Sequence, residues 1–268
     1  MTPEEFRKFG HQIIDWVADY RATVHARPVM AQSTPGEIKA SLPASPPVAP
    51  EAFDAILRDV DDIIMPGISH WQHPSFFGYF PANSSAASVL GDYLSTGLGV
   101  IGLSWQSSPA LSELEEVTTD WMRQMVGLSD AWSGVIQDTA SSSTLVALLC
   151  ARERTTDYSL VRGGLQQEDS ALVVYVSSHS HSSVEKAALL AGFGRDNLRL
   201  IAHDENFAMR ADALDAAITA DIAAGRTPCA IVATTGTTTT TALDPVRAIA
   251  AIASTHRVWL HIDAAMAF

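Results

Sequence analysis

From about residue 130 onward, short runs that are apolar on both faces alternate with longer runs of helical periodicity, and this restricts the fold more than any other feature. A strand packed on one side alternates apolar and polar residues; one that is apolar throughout, such as Ala171–Val176 (ALVVYV), must be covered on both sides. The order read from the pattern is a short strand at Gly134–Gln137, a helix at Leu145–Arg154, the strand Ala171–Val176 and a helix at Ser182–Ala191. Next come a strand at Leu198–Ala202, a helix at Ala211–Ala224 closed by Gly225, a strand at Cys229–Ala233, a helix at Pro245–Ser254 and a strand at Val258–Ile262. Such an order predicts an α/β fold, a mostly parallel sheet flanked by helices.

The first third has a different texture. Thr2, Pro3 and Glu5 form a helix start with a capping box, and Phe6, Phe9, Ile13, Ile14, Val17 and Tyr20 follow at helical spacing. Six of the thirteen prolines fall between Pro28 and Pro50, which predicts an irregular connection. A second apolar stripe, Phe53 to Ile64, predicts another helix. The two stripes show no core shared with each other, so a larger body or a second subunit is implied to bury them. Residues 67–84 crowd Trp71, Phe76, Phe77, Tyr79 and Phe80 among glycine and proline, either as a loop wedged on the core or as a pocket wall. Helices are predicted at Ala87–Leu98 and Pro109–Val126. This divides the chain into an N-terminal helical and aromatic segment, 1–84, and a large α/β domain, 85–268.

Composition narrows the partners. Seventeen basic against thirty acidic residues give a net charge of −13, with no basic run to hold nucleic acid or an anionic membrane. No window of about 20 apolar residues spans a bilayer. Cys150, in an apolar helical run, and Cys229, at an apolar strand, read as buried reduced thiols. These features predict a cytoplasmic protein that handles small molecules.

Ligands of open α/β sheets bind outside the carboxyl ends of the strands, and four polar clusters fall there. Thr139–Thr144 places five hydroxyls in six positions at a helix start, an anion cradle rather than a simple cap. Residues 177–183 (SSHSHSS) carry His179 and His181, readable as a metal pair, as a ring contact to a ligand, or as structural histidines. Residues 234–241 hold seven threonines in eight positions. Asp263 ends the last strand, where a carboxylate needs a cation or a hydrogen-bond donor. An anion cradle, an imidazole and a carboxylate seeking a protonated ring nitrogen together describe a site for pyridoxal 5'-phosphate.

The chain closely resembles the group II pyridoxal-phosphate-dependent decarboxylases, in particular the aromatic-L-amino-acid branch. The resemblance is carried in family order by FRKFGHQIIDWVADY (6–20), HPSFFGYFPANS (73–84), GVIGLSWQSSPALSELE (99–115), TASSSTLVALLCAR (139–152), HSSVEKAALLAG (181–192), ATTGTTTTTALDP (233–245) and WLHIDAA (259–265). It implies the fold of type I pyridoxal-phosphate transferases and conversion of an aromatic L-amino acid to its amine and CO2. It also implies a homodimer whose N-terminal helices embrace the partner.

Residue by residue, the resemblance makes Ala140 and Ser141 phosphate ligands and His181 the imidazole stacked on the cofactor ring. Asp263 becomes the partner of the pyridine nitrogen, Ala265 packs on the ring, and Thr238 supplies a nearby hydroxyl. Trp71, Tyr79, Phe80 and Pro81 resemble the substrate-pocket wall; Ile101 and Leu103 resemble pocket residues lent by the neighbouring subunit. Ala82 and Leu103 replace residues of catechol-using members, which argues against a catechol preference. The family's Schiff-base lysine falls beyond Phe268, so the chain reads as an N-terminal fragment without the small C-terminal domain. None of Lys8, Lys39 or Lys186 is expected to substitute, Lys186 lying on a helix expected to lead away from the site. The competing readings are a decarboxylase of non-aromatic amino acids, a zinc hydrolase using His179 and His181, and a non-catalytic assembly or binding protein.

Overall fold

The computed structural model describes residues 1–80 and 84–267. Two units divide the chain, Met1–Val100 and Ile101–Phe268. The first begins with α1 (Pro3–Thr23), whose capping box forms as expected: Thr2 Oγ1 accepts the Glu5 N–H, and the Glu5 carboxylate accepts the Thr2 N–H. The Pro-rich connection carries one short helix, α2 (Glu37–Ser41). The second stripe folds as α3 (Phe53–Asp59), which runs on into a π turn over Val60–Ile64.

The two stripes do meet, contrary to the expectation from sequence. Phe9 stacks on Phe53 with centroids 4.3 Å apart, Gln12 donates to Asp54, and Trp16 Nε1 donates to Asp61. Helical spacing reveals that a stripe exists; it does not reveal which neighbour the connecting loop brings to it. Even so, α1 contains no buried residue, and Phe6, Ile13 and Ile14 remain exposed. α4 (Ala86–Leu98) closes the unit, capped by Ser85 and ended by Gly99 at φ +63°.

In the second unit come α5 (Pro109–Met125), α6 (Ala140–Thr155), β1 (Leu172–Ser177), α7 (Ser182–Leu190), β2 (Leu198–Ile201), α8 (Ala211–Ala223), β3 (Thr227–Thr234), α9 (Val246–His256) and β4 (Trp259–Asp263). The strands pair in the order β2-β1-β3-β4, all parallel. Alternate residues serve opposite faces. Val174, Val176, Ala230 and Val232 pack under α6 and α7, against Leu148, Val184 and Ala188. Val173, Tyr175, Ile231 and Ala233 pack under α8 and α9, against Leu214, Ile218 and Ile249. Covering both faces is why β1 is apolar from Leu172 to Val176 and β3 from Cys229 to Ala233, and each buried valine, leucine or isoleucine contributes about 1.5–3 kcal/mol.

Two expectations fail in this unit. Gly134–Gln137 is not a strand: Val135 and Ile136 are exposed, and the Ile136 N–H goes to the Glu115 carboxylate instead of a ladder. Strand propensity without a paired edge leaves the backbone to side-chain acceptors. Cys150 is exposed, because it lies on the face of α6 turned from the sheet, whereas Cys229 is fully buried in β3. Among the described residues, no helix is long and apolar enough to cross a membrane.

Candidate active site

The carboxyl edge of the sheet gathers the polar clusters. At the entry to α6, Thr139 is the N-cap and its Oγ1 accepts the Ser142 N–H at 3.2 Å, while Ser143 N–H goes to the Thr139 carbonyl. The N–H groups of Ala140 and Ser141, in the first turn, have no intrahelical acceptor and point outward with the positive end of the helix dipole. Asp138, just before the cap, is held below its ordinary pKa chiefly by a hydrogen bond from the Ser142 side chain.

His181 is the N-cap of α7. Its Nδ1 accepts the Ser183 N–H at 3.2 Å and lies 2.8 Å from the Ser183 hydroxyl. A backbone N–H can only donate, so Nδ1 carries a lone pair and the neutral ring keeps its proton on Nε2. His179 goes elsewhere: it packs edge-on to His203 and Phe207, with centroids 4.5 and 5.0 Å away. The two histidines therefore do not act as a pair. Ser180 Oγ and Thr234 Oγ1, 3.1 Å apart, tie the loops after β1 and β3 together.

A cavity of about 240 Å3 lies between α6 and α7, lined by Ser141, Ser142, Leu145, His181 and Lys186 among others. Lys186 thus shares this cavity with Ser141 and His181, because helical side chains lean toward the N-terminus and bring the lysine stem back over the first turn of α7. Ser142 was missed as a lining residue, hidden within the cluster of hydroxyls.

Asp263 ends β4 opposite Thr234 of β3, and its backbone carbonyl accepts the Thr235 N–H at 2.9 Å. Its Oδ1 accepts the Ala265 N–H at 3.2 Å, and among the described residues it forms no ion pair. Ala265 itself is exposed. Two residues before Asp263, His261 is pushed below its ordinary pKa by burial, against the opposing pull of Asp263; its Nε2 lies 3.4 Å from Thr144 Oγ1 of α6. That contact fixes α6 to β4.

The threonine loop is built around Gly236, at φ +83°, where a Cβ would come within 2.9 Å of Met266 Cβ. Thr237 is buried and its hydroxyl accepts the Ala242 N–H, whereas Thr238 is exposed. Much of this loop serves its own turn. Thr234 and Thr235 are the members that reach neighbouring segments, Ser180 and the Ala267 carbonyl.

The aromatic segment belongs to the first unit. Trp71 stacks on Phe76 and Tyr79 with centroids 5.2 and 5.5 Å away, Tyr79 sits at φ +54°, and Phe80 is exposed. Pro81 and Ala82 lie outside the described residues. Ile101 and Leu103, at the start of the second unit, are 67% and 79% exposed.

The family model for the pyridoxal-dependent decarboxylase conserved domain matches residues 35–267. Phenylacetaldehyde synthase of Arabidopsis thaliana is 41% identical over 100% of this chain and 55% of its own length. Aromatic-L-amino-acid decarboxylase of Bos taurus is 42% identical over 100% of this chain and 56% of its own length. The crystal structure of Catharanthus roseus tryptophan decarboxylase in complex with L-tryptophan superimposes with a TM-score of 0.92 at 37% identity, covering 98% of this chain and 57% of that one. The chain thus spans about half the length of the relatives it matches.

Proposed function

Because the chain belongs to the pyridoxal-dependent decarboxylase family, we propose that it carries the cofactor-recognising part of an enzyme converting an aromatic L-amino acid to its amine and CO2. One observation carries this reading: Ser141 and His181, from the N-terminal ends of α6 and α7, line a single cavity with Lys186, and Asp263, at the carboxyl end of β4, forms no ion pair among the described residues. The donor set fits pyridoxal 5'-phosphate. When bound, the cofactor supplies a protonated pyridine ring that withdraws the electron pair left behind by the departing carboxylate.

The chain's own residues divide the rest of the work. Ala140 and Ser141 N–H groups bind the phosphate, and the Lys186 ammonium adds charge of the right sign across the cavity. His181 presents its ring face and its Nε2–H, the one for stacking and the other for orienting a substrate carboxylate. Asp263 holds the proton on the ring nitrogen, a role that supplies the cation its carboxylate otherwise lacks. Small Ala265 permits close approach to the ring, and Thr238 supplies a hydroxyl at the rim.

The family resemblance assigns Trp71, Tyr79, Phe80 and Pro81 to the wall around a large substrate side chain, and the stacked rings of Trp71, Phe76 and Tyr79 offer apolar surface of the kind such a side chain needs. Ile101 and Leu103 are lent to the neighbouring subunit of a homodimer, consistent with their exposure in one copy. The relatives named for phenylacetaldehyde synthesis and for aromatic amino-acid decarboxylation support an aromatic substrate.

The test is amine and CO2 release by the intact protein, supplied with cofactor, from L-tryptophan, L-tyrosine, L-DOPA and L-glutamate. Turnover of the first three but not the fourth is expected. Turnover of L-glutamate alone would favour the non-aromatic reading, and failure to bind cofactor would favour the assembly reading.

A further inference from the structure

The N-terminal unit holds a cavity of its own, of about 230 Å3, lined by Arg27, Asp61 and His70 with apolar wall from Pro28, Met65 and Ile68. Three hydrogen bonds lash its sides together. The His70 N–H donates to the Val29 carbonyl at 2.9 Å, the Ala31 N–H to Ser69 Oγ at 3.2 Å and the Gln32 N–H to the Pro66 carbonyl at 3.3 Å. The walls are therefore held in place by the unit's own backbone.

Each polar group is braced by Tyr20 or Trp16, neither of which lines the cavity. His70, only 3% exposed, has its Nδ1 2.9 Å from the Tyr20 hydroxyl. Asp61 Oδ1 accepts Trp16 Nε1–H at 3.0 Å. The Arg27 guanidinium sits over the Tyr20 ring, 5.6 Å from its centroid. Arg27 and Asp61 form no ion pair with each other or with any other described residue. Burial, then the charges of Arg27 and His73, hold His70 below its ordinary pKa, so its ring is neutral. In the tautomer in which Nδ1 accepts the Tyr20 O–H, Nε2 carries the ring proton and is the nitrogen free to donate to a ligand.

We propose that this cavity binds a free α-amino acid as its zwitterion. The carboxylate meets Arg27 and His70 Nε2–H, the ammonium meets Asp61, and an aliphatic side chain lies along Met65 and Ile68. A lone carboxylate would satisfy Arg27 but bring a second negative group toward Asp61. A lone amine would do the reverse at Arg27. A molecule with both charges and an apolar tail matches Arg27, the exposed Asp61 and the apolar wall at once. The volume, below the roughly 300–1,000 Å3 usual for drug-sized ligands, suits an amino acid of leucine size. None of these residues belongs to the α6–α7 site, so this inference stands apart from the decarboxylase reading.

Calorimetric titration of the 1–268 chain with L-leucine, 4-methylpentanoate and 3-methylbutylamine tests it. Saturable 1:1 binding of L-leucine is expected, with each half-molecule at least about tenfold weaker, a difference of ~1.4 kcal/mol. Arg27→Met and Asp61→Asn each weaken L-leucine about tenfold, and Arg27→Lys restores most of the loss, which separates charge from folding. L-Leucine also moves the His70 side-chain nitrogen resonances, and Arg27→Met requires about tenfold more L-leucine to reach the same shift. Absence of saturable binding, equal binding of the carboxylate alone, or an affinity unchanged by both substitutions would overturn the proposal.

Discussion

The carboxylate of Asp244 accepts the Thr234 N–H at 2.7 Å at the very end of β3. Its other oxygen accepts the Met209 N–H, also at 2.7 Å, so one side chain joins the strand end to the loop that follows β2. Both donor residues are buried. Asp244→Ala therefore leaves two buried N–H groups unsatisfied, at about 1–3 kcal/mol each, partly offset by relaxation. A loss on the order of 3 kcal/mol is expected in urea unfolding, and a loss under 0.5 kcal/mol would show that the loop closes without it.

A second network sets the acid response. Asp221, at the end of α8, takes Arg199 through both oxygens, Arg226 at 3.0 Å and the Tyr175 hydroxyl at 3.1 Å. Burial alone would push the Asp221 carboxyl up, but hydrogen bonds from Arg199, Arg226 and Tyr175 together hold it below its ordinary 3.8. A carboxyl lowered in the folded state stabilises fully above its unfolded value and loses that contribution as pH falls through the folded one. Stability is thus expected to drop below about pH 4, and Asp221→Asn to flatten that drop while costing about 3 kcal/mol at pH 7. Denaturation midpoints from pH 2.5 to 7 in both proteins provide the comparison.

The two thiols differ in reach. Cys150 is exposed, while burial pushes the fully buried Cys229 thiol up to about 11. Thiolate is the reactive form, so a disulfide reagent at pH 8 should label Cys150 quickly and Cys229 only on unfolding. Rapid labelling of two thiols in the native protein would contradict the burial of β3.

At the proposed cofactor site, Asp263→Ala removes the carboxylate proposed to keep the ring nitrogen protonated. Loss of one preorganised group of this kind typically costs on the order of 10²–10³ in rate. The expected result is a fall of that size in kcat of the intact enzyme with its thermal midpoint nearly unchanged. Near-normal turnover would remove Asp263 from the chemistry.

Lys186→Met tests the charge across the cavity. The ammonium is solvent-exposed, so its contribution to holding a phosphate is about 0.5–1 kcal/mol, two- to fivefold in affinity. Pyridoxal-phosphate binding followed by absorbance should weaken by that factor, and the gap between the two proteins should narrow with added salt. An effect independent of salt would point to packing rather than charge.

Much of the layout was legible in residue order. The apolar runs of β1 and β3 required cover on both faces, and the helices α6 to α9 provide it. The capping box at Thr2 and Glu5, and the hydroxyl-rich start of α6, are local hydrogen-bond patterns that need only a few consecutive residues. Local chemistry of this kind is written directly in sequence. Tertiary structure decided everything that depends on a partner from elsewhere in the chain. Gly134–Gln137 has the composition of a strand but no edge to pair with, so it stays irregular. Phe9 finds Phe53 across forty-four positions because the connection folds back, and Lys186 faces Ser141 because α7 packs beside α6 with its side chains leaning toward His181. Periodicity fixes the face a side chain occupies on its own element; only packing fixes what that face meets.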